Sequence, residues 1–195
     1  MRLAIAEINL QALAHNLAQV KRFAPGCKVM AVLKANAYGH GLVKIAQYLN
    51  DADAFAVARI DEALALRAGG LTKPIVLLEG FFHKDDLPIL LANNFQTIIH
   101  DENQLATLEN TALDAPIACW LKVNTGMHRL GIAPSQFESF YSRLKASSNA
   151  RDDIKLMTHF SCADDINDEK TAQQIALFDS LADQCPEATS LMADL

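Results

Sequence analysis

Val32-Leu33-Lys34-Ala35-Asn36-Ala37-Tyr38-Gly39-His40-Gly41 is an apolar run that ends in a lysine and passes directly into turn residues. Residues Lys28–Lys34 read as a short strand with Lys34 at its C-terminal end. In parallel α/β folds those strand ends form the binding face. An amine held there is partly desolvated, which favours the neutral form that makes Schiff bases with carbonyl groups. Tyr38 follows four residues later and offers a hydroxyl suited to a ligand phosphate. Read from spacing alone, a surface lysine that merely ends a strand is an equal alternative.

Working outward, the same strand, loop and helix pattern repeats. Strands are expected at Lys28–Lys34, Ala54–Ala58, Pro74–Glu79, Gln96–His100, Pro116–Val123 and Ile154–Phe160, with a last apolar piece near Thr189–Ala193. Between them lie helical patterns. Leu10, Leu13, Ala14, Leu17 and Val20 recur at helical spacing, as do Phe137, Phe140, Tyr141 and Leu144. Ser135 with Glu138, and Asp101 with Gln104, have the spacing of capping boxes. Such βα repeats predict an α/β chain with a parallel sheet and outer helices. Periodicity leaves open a doubly wound sheet or most of a (β/α)8 barrel. Leu3–Leu10 is also strand-like, either in a small separate β domain or as the first sheet strand.

Composition narrows the function classes. Half of the 195 residues are hydrophobic (51%), which excludes a disordered or collagen-like chain. No apolar run reaches membrane-helix length, and Met1–Leu10 has no signal-like apolar region, so a cytoplasmic protein is the default expectation. The net charge of −6 argues against nucleic acid as the main partner, because phosphate binding needs clustered cations. Cys27, Cys119, Cys162 and Cys185 have no metal-binding spacing and read as reduced, mostly buried thiols. The acidic stretch Ala163–Lys170 reads as a solvated loop rather than a metal site.

Two further strand ends carry chemistry. Trp120-Leu121-Lys122-Val123-Asn124-Thr125-Gly126-Met127-His128-Arg129-Leu130-Gly131 is a strand followed by a turn that presents an arginine. A fixed guanidinium suits a carboxylate or a phenolate oxygen. Met157-Thr158-His159-Phe160-Ser161-Cys162-Ala163-Asp164 places a histidine at another strand end. A lone histidine there is more often structural than catalytic.

The Lys34 stretch resembles the cofactor-lysine signature of alanine racemases, V-x-K-A-N-A-Y-G-H-G. The Arg129 stretch resembles that family's [DN]-[ST]-G-M-x-R-L-G motif. The run through His159 resembles the end of its sixth barrel strand. Weaker likenesses at Ala6–Leu10, Ala14–Asn16 and Leu78–Phe82 extend the resemblance from about Leu3 to Leu191. The resemblance implies a pyridoxal 5'-phosphate-dependent isomerase that interconverts L-alanine and D-alanine in the cytoplasm, as a homodimer. D-alanine supply for the cell wall and L-alanine breakdown are both open as roles. By the match, Lys34 holds the cofactor as a Schiff base and acts as the base on one face of the substrate. Tyr38 binds the cofactor phosphate. Arg129 touches the phenolic oxygen and the substrate carboxylate. His159 sits beside the cofactor and tunes a catalytic tyrosine. Lys122 matches a lysine that some members carbamylate. No metal is implied, and His40 takes a packing or loop role.

The implied fold is a partial (β/α)8 barrel. Residues 1–10 would be a strand that pairs with the family's C-terminal β domain. Residues 11–195 would be the pyridoxal-phosphate-binding barrel portion, about six βα units and the start of a seventh strand. Family members are almost twice as long. Thr189-Ser190-Leu191 follows the family's seventh-strand motif and Met192-Ala193-Asp194-Leu195 departs from it. The expectation is therefore a truncated chain without the β domain, marginally folded and with little activity alone. The competing expectations are a non-catalytic pyridoxal-phosphate-binding barrel of cofactor homeostasis and a non-functional product.

Overall fold

β-branched and apolar runs form the strands, and amphipathic segments form the helices that connect them. The computed structural model describes residues 4–188 and 191–194. It divides into two compact units, Met1–Leu78 and Glu79–Leu195.

The first unit opens with helix α1 (Leu10–Phe23), capped by the Asn9 side chain, which accepts the Ala12 N–H at 3.0 Å. Strand β1 (Met30–Val32) leads into a five-residue helical turn, α2 (Lys34–Tyr38), and then α3 (Leu42–Tyr48). Strand β2 (Ala54–Val57), helix α4 (Ile60–Ala68) and strand β3 (Ile75–Leu77) complete it. The strands pair in parallel in the order β1-β2-β3, with Ala31 opposite Phe55 and Ala56 opposite Val76. Phe55, Ala56, Val57, Ile75, Val76 and Leu77 are fully buried, as expected of parallel strands covered on both faces. Ile45 and Ala46 of α3 and Ala63 and Leu66 of α4 pack on that core.

Helix α1 differs from this pattern. Its apolar stripe exists as the spacing predicts, yet none of its residues is buried, and Phe23 stays 77% exposed. Residues 4–9, expected as a strand, run as irregular backbone.

The second unit contains α5 (Asp86–Ala92), β4 (Gln96–Ile99), α6 (Glu102–Glu109), β5 (Cys119–Lys122), a 3-10 turn (Pro134–Gln136), α7 (Phe137–Ala146), β6 (Lys155–His159), α8 (Lys170–Ala182) and β7 (Leu191–Asp194). Its strands run parallel in the order β4-β5-β6-β7. Ile98, Ile99, Cys119, Leu121, Leu156 and Met157 form its sheet core. Leu105, Leu108 and Leu144 cover that core from α6 and α7. Arg143 of α7 binds Glu109 in bidentate fashion, at 2.9 and 2.6 Å, and also donates to Glu102 at 2.9 Å, tying α7 to α6. This guanidinium holds the Glu102 carboxyl below its ordinary pKa, chiefly through the side-chain hydrogen bond.

The α/β class stands as expected: among the described residues strand and helix alternate six times and a seventh strand follows. The strands are shorter than the apolar runs. Ile117 and Val123, expected inside the fifth strand, make only isolated bridges, to Ala150 and Ile132. Of the last expected strand, residues 189 and 190 lie outside the described residues. The capping box expected at Ser135 and Glu138 is corrected. The 3-10 turn occupies Ser135, and Gln136 instead accepts the Ala133 N–H at 3.1 Å. Asp101 caps α6 by accepting the Gln104 N–H at 2.9 Å, but Gln104 reaches back to the His100 N–H rather than to that of Asp101. Of the acidic stretch Ala163–Lys170, residues 163–169 are an exposed loop, as expected, and Lys170 begins α8; the Asp165 and Asp168 carboxylates accept the N–H groups of Asn167 and Lys170.

The four thiols are free; Cys119 and Cys185 are buried and Cys27 is exposed. Burial pushes the Cys119 thiol up to about 12. Iodoacetamide at a pH of about 8 should therefore alkylate Cys27 in the native chain and leave Cys119 unmodified until denaturant is added, as read by peptide mass spectrometry.

Candidate active site

At the end of β1 the backbone does something rare for L-residues. Ala35, Asn36, Ala37 and Tyr38 all take the left-handed helical conformation, with φ of 53°, 57°, 52° and 53°. Each such residue costs roughly 1–2 kcal/mol relative to a right-handed one, so four in succession need external support. The strand ladder ends one bond beyond β1, where the Leu33 N–H donates to the Ala56 carbonyl at 2.8 Å. The chain then winds the opposite way, with Ala37 N–H donating to Leu33 O at 2.7 Å and Gly39 N–H to Ala35 O at 2.9 Å.

Three side chains fasten this turn. The Glu62 carboxylate accepts the Asn36 N–H at 3.0 Å through Oε1, and the Ala58 N–H at 3.2 Å through Oε2. Asn36 Oδ1 accepts the Leu42 N–H at 2.9 Å, tying the turn to the start of α3. The His40 ring lies 2.8 Å from the Ala37 carbonyl, the loop role the sequence reading gave it. Lys34, expected as the last strand residue, instead opens this turn and is half-buried, while Tyr38 is exposed. Asparagine is enriched in left-handed backbone, which was the available signal for Asn36. Sequence reasoning missed Glu62, whose partner lies 26 residues away.

In the second unit, Lys122 ends β5 and is buried, with Nζ 3.9 Å from the Met157 sulfur. The loop that follows is built around Asn124, whose Oδ1 accepts the N–H groups of Gly126 and His128 at 3.2 and 2.9 Å. It returns along β5, with the Asn124 N–H donating to Ile132 O and the Ile132 N–H to Lys122 O, each at 3.0 Å. Gly131 permits that return: a Cβ there would lie 2.5 Å from the Asn124 nitrogen. The loop carries Arg129, which is exposed. His159, half-buried, ends β6, the strand paired with β5.

One buried carboxamide connects these two strand ends. Gln174 of α8 donates to Thr125 Oγ1 at 3.1 Å and to the His159 carbonyl at 3.0 Å. Its Oε1 accepts from the Ser161 N–H and hydroxyl at 3.0 and 3.1 Å. The Thr125 and Thr158 hydroxyls bond each other at 2.7 Å. The loop bearing Arg129 and the strand end bearing His159 are thereby held by one hydrogen-bond network, in which the Gln174 amide is fully satisfied. Gln174 was not singled out from the sequence, because a glutamine inside a helix has no distinguishing pattern. Of the expected site residues, Lys34 and Tyr38 thus share one turn of the first unit. Lys122, Arg129 and His159 lie at neighbouring strand ends of the second.

Comparison with known proteins bears on these loops. The family profile "Alanine racemase, N-terminal domain" matches residues 8–193. An alanine racemase of Vibrio atlanticus (strain LGP32) is 53% identical over 193 residues, 99% of this chain and 54% of that protein. One of Edwardsiella ictaluri (strain 93-146) is 54% identical over 179 residues, 92% of this chain and 49% of that protein. The crystal structure of biosynthetic alanine racemase from Pseudomonas aeruginosa matches with a TM-score of 0.86 and 35% identity, covering 95% of this chain and 56% of that one. The chain spans about half the length of the curated relatives it matches.

The Gln174 network makes a testable demand. Gln174→Met keeps the volume but leaves the Thr125 hydroxyl, the Ser161 donors and the His159 carbonyl without their partner. The expected loss is about 2–3 kcal/mol in urea unfolding, with faster amide exchange across residues 124–131.

Proposed function

The chain belongs to the alanine racemase N-terminal domain family, and from that membership we propose that it supplies the cofactor-binding barrel portion of an enzyme that interconverts L-alanine and D-alanine. The observation that carries this reading is the turn at Lys34–Gly41. It costs backbone energy and is braced by Glu62 and Asn36, and what it presents is an amine and a phenol four residues apart. Strain maintained by dedicated side chains is typical of functional loops.

The donor set fits pyridoxal 5'-phosphate. An amine, a phenol, a guanidinium and an imidazole match an aldehyde, a phosphate, a phenolic oxygen and the surroundings of an aromatic ring. In this proposal Lys34 holds the cofactor covalently and Tyr38 binds its phosphate. Arg129 contacts the phenolic oxygen and orients the substrate carboxylate. His159 lies beside the ring and tunes a catalytic tyrosine. Lys122, once carbamylated, is an anion that orients Arg129. The bound cofactor withdraws electrons from the substrate α-carbon and so acidifies its proton. Once the substrate's own amine has displaced it from the cofactor, the free Lys34 amine takes or returns that proton on one face. The segment ahead of α1, irregular over residues 4–9, would take strand form only when paired with the family's β domain, and the assembled enzyme is a homodimer that works in the cytoplasm. No helix among the described residues is long and apolar enough to cross a membrane.

The 195-residue chain tests the reading directly. Pyridoxal phosphate is added, the complex is reduced with borohydride, and the modified lysine is mapped. The expected label is on Lys34, accompanied by a visible Schiff-base band, and Lys34→Ala abolishes both. A folded chain without label on Lys34 would overturn the proposal.

A further inference from the structure

We propose that Glu62 is a positioning residue for Lys34: its carboxylate holds residues 35–38 left-handed and thereby sets how the lysine and Tyr38 are presented. The inference rests on the cofactor-lysine reading of Lys34. Its physical basis is the geometry of the carboxylate.

Glu62 stands on the first turn of α4, where its Oε2 accepts the N–H groups of Ala58 and Arg59 at 3.2 and 3.4 Å. That much is ordinary helix capping, in which an acidic side chain meets the unsatisfied donors of its own helix start. The other oxygen does something capping does not need. Oε1 leaves the helix and accepts the Asn36 N–H at 3.0 Å. Asn36 is the second of the four left-handed residues, and its own side chain accepts the Leu42 N–H at 2.9 Å. The left-handed turn is therefore anchored at its centre, by a charged acceptor on one side and by α3 on the other.

The chemistry of the acceptor is specific. Only a carboxylate offers two oxygens to donors arriving from two different segments. Glutamine is nearly isosteric, yet it turns an NH2 group toward one of those amides and sets donor against donor. Four L-residues in the left-handed region are held against an intrinsic preference for the right-handed one. Loss of the central anchor releases the turn toward right-handed backbone, and Lys34, its first residue, moves with it. A glycine at position 35 removes that preference where the left-handed run begins, because glycine takes positive φ without steric cost.

This gives a test that separates positioning from simple capping of α4. Glu62→Gln, Ala35→Gly and the double variant are prepared in the 195-residue chain. The first readout needs no cofactor: amide exchange at Asn36, followed by NMR. Glu62→Gln is expected to speed that exchange about tenfold or more, the loss typical of a hydrogen bond to a charged group. The second readout is the rate of borohydride-fixed labelling of Lys34 by pyridoxal phosphate, expected to fall by about the same factor. Adding Ala35→Gly to Glu62→Gln should recover part of the labelling.

Unchanged Asn36 exchange in Glu62→Gln would overturn the proposal. So would a labelling loss that Ala35→Gly fails to recover, since a role confined to capping α4 gains nothing from a glycine in the turn. Should Glu62→Gln unfold, Glu62→Asp keeps the charge and withdraws it by one methylene. It is expected to speed Asn36 exchange as well, and unchanged exchange there would be equally fatal. If the unsubstituted chain takes no label on Lys34, the cofactor reading fails, and the exchange data still decide whether Glu62 holds the turn.

Discussion

Four consecutive L-residues held left-handed are a standing liability, and the charged group with which the fold meets it is the Glu62 carboxylate. Glu62 takes the Asn36 amide on one oxygen and the Ala58 amide on the other, so the end of β1 is referenced to the end of β2. Those strands are already in register through Ala31 and Phe55. The position of Lys34 then depends on a rigid sheet and a charge-assisted hydrogen bond rather than on the flexibility of a loop. Such an arrangement converts sheet stability into precision at the Lys34 amine.

The second unit solves the same problem without charge. Its two loops depart from β5 and β6, adjacent parallel strands whose C-terminal ends lie side by side. Gln174 uses both donors and its carbonyl oxygen to hold the first loop through Thr125 and the second through His159 and Ser161. Buried and fully satisfied, this amide adds little net stability per bond but imposes a single arrangement. Gly131 contributes by absence, since any side chain would strike the backbone at Asn124. Arg129 itself stays exposed, so its loop is rigid at the base and open to solvent at the residue that meets the ligand in the proposed function.

Burial is uneven in a way that follows the architecture. β2, β3 and β5 are covered on both faces, whereas β1 is only half-buried and α1 buries none of its residues. The stripe on α1 is as regular as those on α6 and α7, which do bury leucines. Periodicity reports which face a helix can bury. Whether anything covers that face depends on neighbouring elements that periodicity does not see.

The alternation of strand and helix, the parallel class, and the placement of Lys34, Lys122, Arg129 and His159 at or beside strand ends were legible in the sequence. All follow from local periodicity and from short runs whose chemistry is carried by adjacent residues. The capping pattern at Ser135 was legible and misleading, because Pro134 starts a 3-10 turn that uses Gln136 instead. The handedness of residues 35–38 and the roles of Glu62 and Gln174 belong to the tertiary structure. Ala and Tyr have no local preference for positive φ, and the groups that enforce it arrive from far along the chain. Asn36 and Glu62 are 26 residues apart, and Thr125 and Gln174 are 49 apart. A local sequence pattern specifies which chemistry a strand end carries. The backbone conformation that presents it is decided by hydrogen bonds between segments that only folding brings together.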